Sequence, residues 1–265
     1  MIRLIATDLD GTLLNNEHKI SDYNKKIISA VNEKGIKFIL STGRPTSAAT
    51  KFLEDLNIET DMISFNGAMI TDRKGNILYE DNLESHIGKE LIEIAKKYKV
   101  YYQGFLGKRW NLSDSKSKWL DFYISIAKIN NYKLGFENIK DFSFSKFMFI
   151  GENHILKGIA KEIDKKLRDK VYYTFSRPVY LEVHSPKVSK ANALSFLLKK
   201  YNIERENIMA FGDNNNDIEM LELAKISVAV ENAESIVKEK AKYITKSNIE
   251  NGVGYFINEY FNLGL

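Results

Sequence analysis

Short apolar runs that end in small or polar residues recur along the chain, and helical patterns separate them. The runs occupy residues 2–8, 37–42, 62–66, 207–213 and 226–230. Runs of this length between amphipathic helices are typical of buried strands in a parallel sheet. Ser21 and Ser189 stand where they can cap helices, and Pro45 stands where a first helical turn begins. The pattern therefore predicts an α/β fold built on a parallel sheet.

The middle of the chain has a different pattern. It predicts helices near residues 85–98, 115–129 and 154–168, with β-like runs at 99–105, 146–151, 171–175 and 179–184. This succession indicates an α+β unit inserted between the first three strands and the last two. We therefore predict three segments: residues 1–82 as the first part of a core, 83–185 as an inserted domain, and 186–265 as the rest of the core.

Composition narrows the classes of protein. The chain has 265 residues, 44% of them hydrophobic, which is enough for a substantial core. It contains no Cys, so disulfides and thiolate metal sites are excluded, and no apolar run reaches the ~20 residues of a membrane helix. The net charge is +4, but the lysines alternate with acids along helical segments. We expect a cytoplasmic protein that binds neither membranes nor nucleic acid.

The first apolar run leads directly into "DLDGT", which carries Asp8 and Asp10. Along an extended chain, residues two apart point to the same side, so the two carboxylates are expected to converge. At ~4 Å and an effective dielectric constant near 20, two such charges repel by about 4 kcal/mol. A site that keeps both acids needs a shared proton, a cation, or a reaction that uses both.

Polar residues also follow the other predicted strands. They are Ser41, Thr42 and Gly43 after the second run, Asn66 and Gly67 after the third, and Asp213 after the fourth. The carboxyl ends of parallel strands lie at one edge of a sheet, which is where open α/β sheets bind ligands. We therefore expect a binding or catalytic site at this edge.

Each of these elements has a simpler alternative. Ser41 and Thr42 in "STGRP" can bind an anion at a helix start or can merely cap the helix. Lys190 can neutralise a phosphate or a carboxylate, or can be solvated. Asp217 can be a helix cap, whereas Asp213 follows a buried strand and needs a partner. Oxygen ligands without His or Cys favour Mg²⁺.

With these elements in order, the chain resembles the haloacid dehalogenase superfamily of phosphohydrolases, and within it the Cof-like subclass IIB. The four motifs are matched by "DLDGT", "STGRP", Lys190 and "GDNNND", and "FNGA" and "VAVENA" also resemble that subclass. The resemblance extends over the whole chain. It implies a Rossmann-like core with an inserted α/β cap domain.

The resemblance also implies roles for individual residues. Asp8 is the nucleophile that takes the phosphoryl group, and Asp10 is the general acid and base. Mg²⁺ is held by Asp8, the backbone carbonyl of Asp10, and Asp213, with Asp217 as a ligand or as support for the ligands. The phosphate-binding residues are Thr42, Gly43, Lys190 and Asn216.

The implied substrate is a small phosphorylated metabolite, such as a sugar phosphate or a phosphorylated cofactor. Arg44, Asn66 and Gly67 are candidate substrate contacts at the sheet edge. Lys108, Arg109 and Trp110 are alternatives in the inserted domain, although Trp110 can equally be a core residue and the two basic residues can be surface residues. We expect a monomer or a weak homodimer.

Three other functions compete with a phosphatase. A phosphomutase or phosphotransferase of the same superfamily uses the same two acids but returns the phosphoryl group to a second substrate. A non-catalytic regulator that binds a sugar phosphate needs no nucleophile, and the intact acids argue against it. An aspartic protease needs two copies of a D-T/S-G loop, and the sequence has D-G-T once.

Overall fold

The computed structural model describes residues 1–265, which form two compact units. The first unit comprises residues Met1–Gly43, Ala49–Leu78 and Ser189–Leu265, and the second comprises Arg44–Ala48 and Tyr79–Val188. These units are defined by how the residues pack, whereas a domain is a part of the chain that folds independently. The predicted domain segments, residues 1–82, 83–185 and 186–265, therefore stay a prediction. No helix has both the length and the apolar character needed to cross a membrane.

The chain forms fourteen strands and nine α-helices. The strands are β1 (Leu4–Thr7), β2 (Lys37–Ser41), β3 (Met62–Ser64), β4 (Met69–Thr71), β5 (Ile77–Glu80), β6 (Tyr101–Leu106), β7 (Arg109–Leu112), β8 (Lys133–Leu134), β9 (Lys146–Ile150), β10 (Tyr172–Arg177), β11 (Tyr180–His184), β12 (Ile208–Gly212), β13 (Ile226–Ala229) and β14 (Tyr243–Ile244). The helices are α1 (Asp22–Glu33), α2 (Thr46–Leu56), α3 (Ser85–Tyr98), α4 (Lys118–Ala127), α5 (Asn153–Lys166), α6 (Lys190–Tyr201), α7 (Ile218–Leu223), α8 (Ser235–Lys240) and α9 (Gly252–Phe261).

The larger sheet has eight strands in the order β14-β13-β12-β1-β2-β3-β4-β5. The pairings from β14 through to β3 are parallel, with β1 between β2 and β12. The predicted α/β class with a parallel sheet is therefore confirmed. The β3–β4 pair is antiparallel, and β4, β5 and β14 were not predicted. β5 and β14 are the edge strands of this sheet and are largely exposed, so they lack the continuous apolar run that predicted the inner strands.

Local sequence explains how the helices of the first unit begin. The Ser21 hydroxyl accepts a hydrogen bond from the Asn24 N–H at 3.1 Å, and the Ser189 hydroxyl accepts one from the Asn192 N–H at 3.1 Å. Both predicted caps are thus present. Leu9, between the two acids of "DLDGT", is completely buried in the core of this unit. Its burial anchors the loop that carries Asp8 and Asp10 to the sheet.

The second unit is built on a six-stranded sheet in the order β10-β11-β9-β6-β7-β8. Helices α3 and α5 contribute side chains to its core, which also contains Phe144 before β9 and Phe147 and Phe149 on β9, all three completely buried. Trp110 is buried against the ring of Phe105, with their centroids 6.0 Å apart, and against Tyr123 at 5.4 Å. Trp110 is therefore a packing residue of this unit, whereas Lys108 and Arg109 are exposed.

A buried ion pair lies within the second unit. The Glu182 carboxylate is 2.5 Å from the Lys146 ammonium and 3.7 Å from the His184 ring, and it accepts a hydrogen bond from Ser176 at 2.7 Å. Burial alone would raise the pKa of Glu182, but Lys146 and His184 outweigh it and lower this pKa to about 2. No sequence signal predicts this pair, because "VYLEVH" has the alternation of a half-exposed strand.

Replacing Glu182 by Gln tests how far this pair stabilises the protein. Glu182→Gln leaves the Lys146 ammonium buried without its counter-charge, and we expect a loss of about 3 kcal/mol in the free energy of unfolding. Glu59→Gln is the matched control, because Glu59 pairs with Arg73 at 3.0 Å but its side chain is 82% exposed. We expect about 0.5 kcal/mol there. Urea unfolding at pH 7 measures both, and equal losses would contradict the assigned role of the pair.

Candidate active site

Lys190, the first residue of α6, lies between two carboxylates. Its ammonium is 2.5 Å from Asp8 Oδ1 and 2.6 Å from Asp217 Oδ1, and the Lys190 side chain is completely shielded from solvent. Asp8 follows β1, and Asp217 lies immediately before α7. The solvated alternative for Lys190 is therefore wrong. A buried ammonium needs such partners, because desolvation strongly disfavours an unpaired charge.

The three charged groups shift one another's pKa values. Burial acts to lower the pKa of Lys190, but Asp217 and Asp8 outweigh it and raise that pKa well above its ordinary value. For Asp8, burial is the largest effect and raises the pKa; Lys190 opposes it, and the charges of Asp217 and Asp213 reinforce it. Lys190 therefore does not offset the combined effect of burial and the neighbouring carboxylates on the pKa of Asp8.

Both carboxylate oxygens of Asp217 are engaged within the protein. Oδ1 receives the Lys190 ammonium, and Oδ2 accepts the backbone N–H groups of Asp213 and Asn214 at 3.0 Å each. Asp217 also packs closely on the end of β12, since a Cβ added to Gly212 would lie 2.4 Å from the Asp217 Cβ. Asp217 therefore holds both Lys190 and the loop that carries Asp213.

Asp213 is held from the other side by Thr12, the last residue of "DLDGT". The Thr12 hydroxyl donates to Asp213 Oδ1 at 2.6 Å. Burial raises the pKa of Asp213 to about 6, with a further contribution from Asp217 and an opposing one from the Thr12 hydrogen bond. Thr12 had no assigned role from the sequence, although it belongs to the quoted motif, because a threonine beside a loop carries no distinctive signal.

Three carboxylates converge on one small volume at this edge of the sheet. Asp8, Asp213 and Asp217 each offer an oxygen, and these oxygens lie within 4.8 Å of one another. The group holds three acids and one ammonium, so it has an excess of negative charge with little solvent to screen it. Hard oxygen donors and an uncompensated charge are what a divalent cation such as Mg²⁺ requires, so these residues fit a metal ion.

Asp10 has a different environment from Asp8, which is buried. β1 ends at Thr7, so the period of two along an extended strand does not continue to Asp10. The acids that act most strongly on Asp8 are Asp217 and Asp213, rather than its neighbour two residues along. The Asp10 side chain is 43% exposed, with the ring of His18 3.6 Å from its carboxylate. The charge of Asp10 nevertheless adds to the raised pKa of Asp213, so the expected convergence of Asp8 and Asp10 stays a prediction.

A second cluster forms where three loops meet. They are the loops after β2 and β3 and the "NND" turn of residues 215–217. The Asn66 N–H donates to the Thr42 carbonyl at 3.0 Å, and the Asn66 amide oxygen accepts from Asn216 Nδ2 at 2.9 Å. Gly43 leaves room for Asn66, because a Cβ at Gly43 would lie 2.7 Å from the Asn66 amide oxygen. The structure therefore brings Thr42, Gly43 and Asn66, which the sequence predicted at one edge of the sheet, together with Asn216.

The "FNG" turn after β3 has an unusual backbone. Phe65, Asn66 and Gly67 have φ values of 52°, 58° and 108°, all in the left-handed half of the map. A Cβ at Gly67 would lie 2.2 Å from the Ser189 carbonyl oxygen, immediately before Lys190. The turn thus packs against the start of α6, which joins the Asn66 cluster to Lys190.

Arg44 and Ser41, which flank Thr42 and Gly43 in the sequence, have different environments. Arg44 is half-buried and begins the short Arg44–Ala48 segment of the second unit, so its predicted substrate contact stays a prediction. Ser41, the last residue of β2, has a buried hydroxyl without a hydrogen-bond partner. Because this hydroxyl accepts no hydrogen bond, Ser41 does not cap the helix that follows.

Asn232, in the "VAVENA" segment, binds the backbone of the "DLDGT" loop. Its Nδ2 donates to the Gly11 carbonyl at 2.7 Å, and its Oδ1 accepts the Asn248 N–H at 2.9 Å. Asn248 in turn donates to the Leu14 carbonyl at 2.8 Å. We assigned these asparagines no role from the sequence, because a side chain that binds backbone atoms of a distant loop leaves no spacing signal.

Comparison with known proteins gives concordant similarities. Residues 5–257 match the family of haloacid dehalogenase-like hydrolases. The 5-amino-6-(5-phospho-D-ribitylamino)uracil phosphatase YcsE of Bacillus subtilis is 34% identical, over 98% of this chain and 96% of that protein. A second Bacillus subtilis phosphatase with the same substrate in its name, YwtE, is 30% identical over 97% of this chain and 98% of its own.

Solved structures are similar over the same length. A haloacid dehalogenase-like hydrolase from Bacteroides thetaiotaomicron has a TM-score of 0.91 at 28% identity, covering 98% of this chain and all of that one. TM0651 from Thermotoga maritima has a TM-score of 0.90 at 26% identity, covering 98% of this chain and 97% of its own. The similarity therefore extends through both compact units.

Replacing Gly67 by Ala tests the close approach of the "FNG" turn to α6. Gly67→Ala combines an unfavourable φ with overlap on the Ser189 carbonyl, and we expect a loss of roughly 2–4 kcal/mol in the free energy of unfolding. Gly35→Ala is the matched control, since Gly35 has a φ of 79° but nothing within 4 Å of an added Cβ. The control should lose only about 1–2 kcal/mol. Urea unfolding measures both variants. Equal losses in the free energy of unfolding would show that overlap with Ser189 contributes nothing to the effect of Gly67→Ala.

Proposed function

Because the chain belongs to the haloacid dehalogenase-like hydrolase family, we propose that it is a Mg²⁺-dependent phosphatase that hydrolyses small phosphorylated metabolites through an aspartyl-phosphate on Asp8. The chain is an enzyme of the phosphatase type, like its named relatives. The observation that carries the mechanism is the completely shielded Lys190 ammonium, held against Asp8 beside two further carboxylates. This arrangement concentrates positive and negative charge where a phosphoryl group is transferred.

Asp8 is the proposed nucleophile. One of its oxygens attacks the phosphorus atom, a bond forms between Asp8 and phosphorus, and the bond from phosphorus to the ester oxygen breaks. Asp8 must be ionised for this step, although burial raises its pKa. Lys190 and a bound cation favour the ionised form, because opposite charges nearby lower the pKa of a carboxyl group.

Asp10 is the proposed general acid and base. It gives its proton to the ester oxygen as that oxygen leaves, and it then takes a proton from the water that attacks the phosphorus atom. The second attack breaks the bond to Asp8 and releases inorganic phosphate. The separation of roles is supported by environment, because Asp8 is buried whereas Asp10 is exposed to incoming substrate and water.

Mg²⁺ would be held by Asp8, the Asp10 backbone carbonyl and Asp213, and it would neutralise charge on the phosphoryl group during transfer. Thr12 orients Asp213 for this purpose through its 2.6 Å hydrogen bond. Asp217 is proposed as support for the site, because both of its oxygens already serve Lys190 and the Asp213 loop. A proton competes for Asp213 as the pH falls through its pKa of about 6.

Lys190, Thr42, the Gly43 N–H and Asn216 are the proposed phosphate-binding groups. Lys190 supplies full positive charge, and the amide and hydroxyl groups supply hydrogen bonds to phosphate oxygens. The Asn216–Asn66 hydrogen bond of 2.9 Å supports this proposal, because it fixes the direction of the Asn216 side chain. Phosphoryl transfer depends on such positioning more than on further chemical groups.

The proposed substrates are small phosphorylated metabolites, and two relatives are named for a phosphorylated ribityl compound. Arg44, Asn66 and Gly67 are proposed to contact the substrate beyond its phosphate. We further propose that residues 83–185 are the α/β cap domain of the family's Cof-like subclass. The protein is proposed to be cytoplasmic, a monomer or weak homodimer, and without membrane or nucleic-acid partners.

A panel of phosphate esters tests this function. Purified protein with Mg²⁺ at pH 7.5 should release free phosphate from sugar phosphates, phosphorylated cofactors or nucleotides, without any bisphosphate activator. Asp8→Asn should lower kcat by at least ~10³-fold, because a neutral amide is a poor nucleophile. Removal of the metal by EDTA should abolish turnover, and added Mg²⁺ should restore it.

Asp22→Asn is the matched control, since Asp22 is fully exposed at the start of α1. Its kcat should stay within about twofold of the wild type. Wild-type turnover by Asp8→Asn would show that Asp8 is not the nucleophile. Binding of esters without release of phosphate would favour the non-catalytic regulator, and a requirement for a bisphosphate would favour the phosphomutase.

A further inference from the structure

A short loop next to Asp10 carries a histidine that the proposed mechanism does not use. The loop comprises residues 15–19: Asn15 is followed by "NEHK", residues 16–19. His18 Nδ1 is 3.6 Å from Asp10 Oδ1, and the His18 side chain is 67% exposed. His18 is therefore beside the proposed acid and remains accessible to a molecule that arrives from solvent.

Asn15 holds this loop in one conformation. Its side-chain oxygen accepts the backbone N–H groups of Glu17 and Lys19 at 3.0 Å each. Its backbone N–H donates to the Lys19 carbonyl at 3.0 Å, and its carbonyl accepts the His18 N–H at 2.9 Å. Four hydrogen bonds to one residue close the loop, so the position of His18 is determined by the loop backbone.

The backbone of His18 itself is in the left-handed region, with a φ of 56°. Residues with a Cβ rarely adopt this conformation, and Asn accepts it more readily than His. The exposed contact with Asp10 contributes little to stability, because solvent screens such pairs. Stability alone therefore does not explain why an imidazole is presented at this position.

Asp10 gives its proton to the ester oxygen in the proposed mechanism, so the leaving alcohol must lie next to the Asp10 carboxyl group. His18 contacts that same carboxyl group through Nδ1 and has a second polar atom, Nε2, on the opposite edge of the ring. A neutral imidazole can donate to or accept from a hydroxyl group. The neighbouring Glu17 and Lys19 are paired with each other at 2.9 Å.

We propose that His18 is a specificity-determining residue whose ring binds a hydroxyl group of the leaving alcohol, so that the site favours phosphate esters of polyols and sugars over those of plain alkyl chains. This assignment rests on the proposed function and deepens it. It names the chemical feature of the substrate, a hydroxyl group close to the ester, and the residue that recognises it.

Two esters of equal chain length test the proposal. Ribitol 5-phosphate and n-pentyl phosphate both have five carbons, but only the former carries hydroxyl groups. His18→Asn suits the left-handed backbone and lacks the reach of Nε2, so it should raise KM for ribitol 5-phosphate about five- to tenfold. KM for n-pentyl phosphate and kcat for both esters should stay within about twofold.

His18→Gln places a polar group near the position of Nε2 and should keep KM for ribitol 5-phosphate within about threefold of the wild type. Glu17→Gln is the control on the same loop and should change neither KM. An increase in KM of equal size for both esters, or no change for either, would overturn the assignment to His18. If the wild type released phosphate from none of the esters in the panel, the proposed function would fail first, and His18 would have no leaving group to bind.

Discussion

The buried ammonium of Lys190 is the interaction on which the rest of the site depends. It is 2.5 Å from Asp8 and 2.6 Å from Asp217, and each partner joins it to a different part of the fold. Asp8 follows the central strand β1, and Asp217 holds the backbone of the loop that carries Asp213. Ser189 caps the same helix and receives the "FNG" turn against its carbonyl. Lys190 and the start of α6 therefore connect the ends of β1, β3 and β12.

The balance of positive and negative groups differs between the Lys190 site and the buried Lys146–Glu182 pair. In the second unit, Glu182 has Lys146 and His184 as partners, so its charge is compensated and its pKa is lowered. At the end of β1, one ammonium faces three carboxylates, and burial, reinforced by neighbouring carboxylates, raises the pKa values of Asp8 and Asp213. A compensated pair stabilises its surroundings, whereas an excess of negative charge is a site that a cation can complete. The Mg²⁺ proposal follows from this difference.

Sequence patterns anticipated most of the larger sheet, the two serine caps and the family resemblance, which the family match confirms. They succeeded where a signal repeats, as in buried strands followed by polar ends. They failed where contacts are long-range: Thr12 on Asp213, Asn232 on Gly11 and Lys146 on Glu182 leave no periodic pattern. The expected convergence of Asp8 and Asp10 stays a prediction, because β1 stops at Thr7 and the rule for extended strands covers neither residue.

The central claim is that the Asp8 carboxylate, held by Lys190, takes the phosphoryl group. Reduction with borohydride during turnover tests it most directly, because an acyl phosphate is reduced to an alcohol whereas a free carboxylate is not. Peptide mass spectrometry of protein quenched in this way should find homoserine at position 8 and at no other acidic residue, only when a phosphate ester and Mg²⁺ are present. Homoserine at position 10 or 213, or unmodified Asp8 in protein that is turning over substrate, would contradict the account.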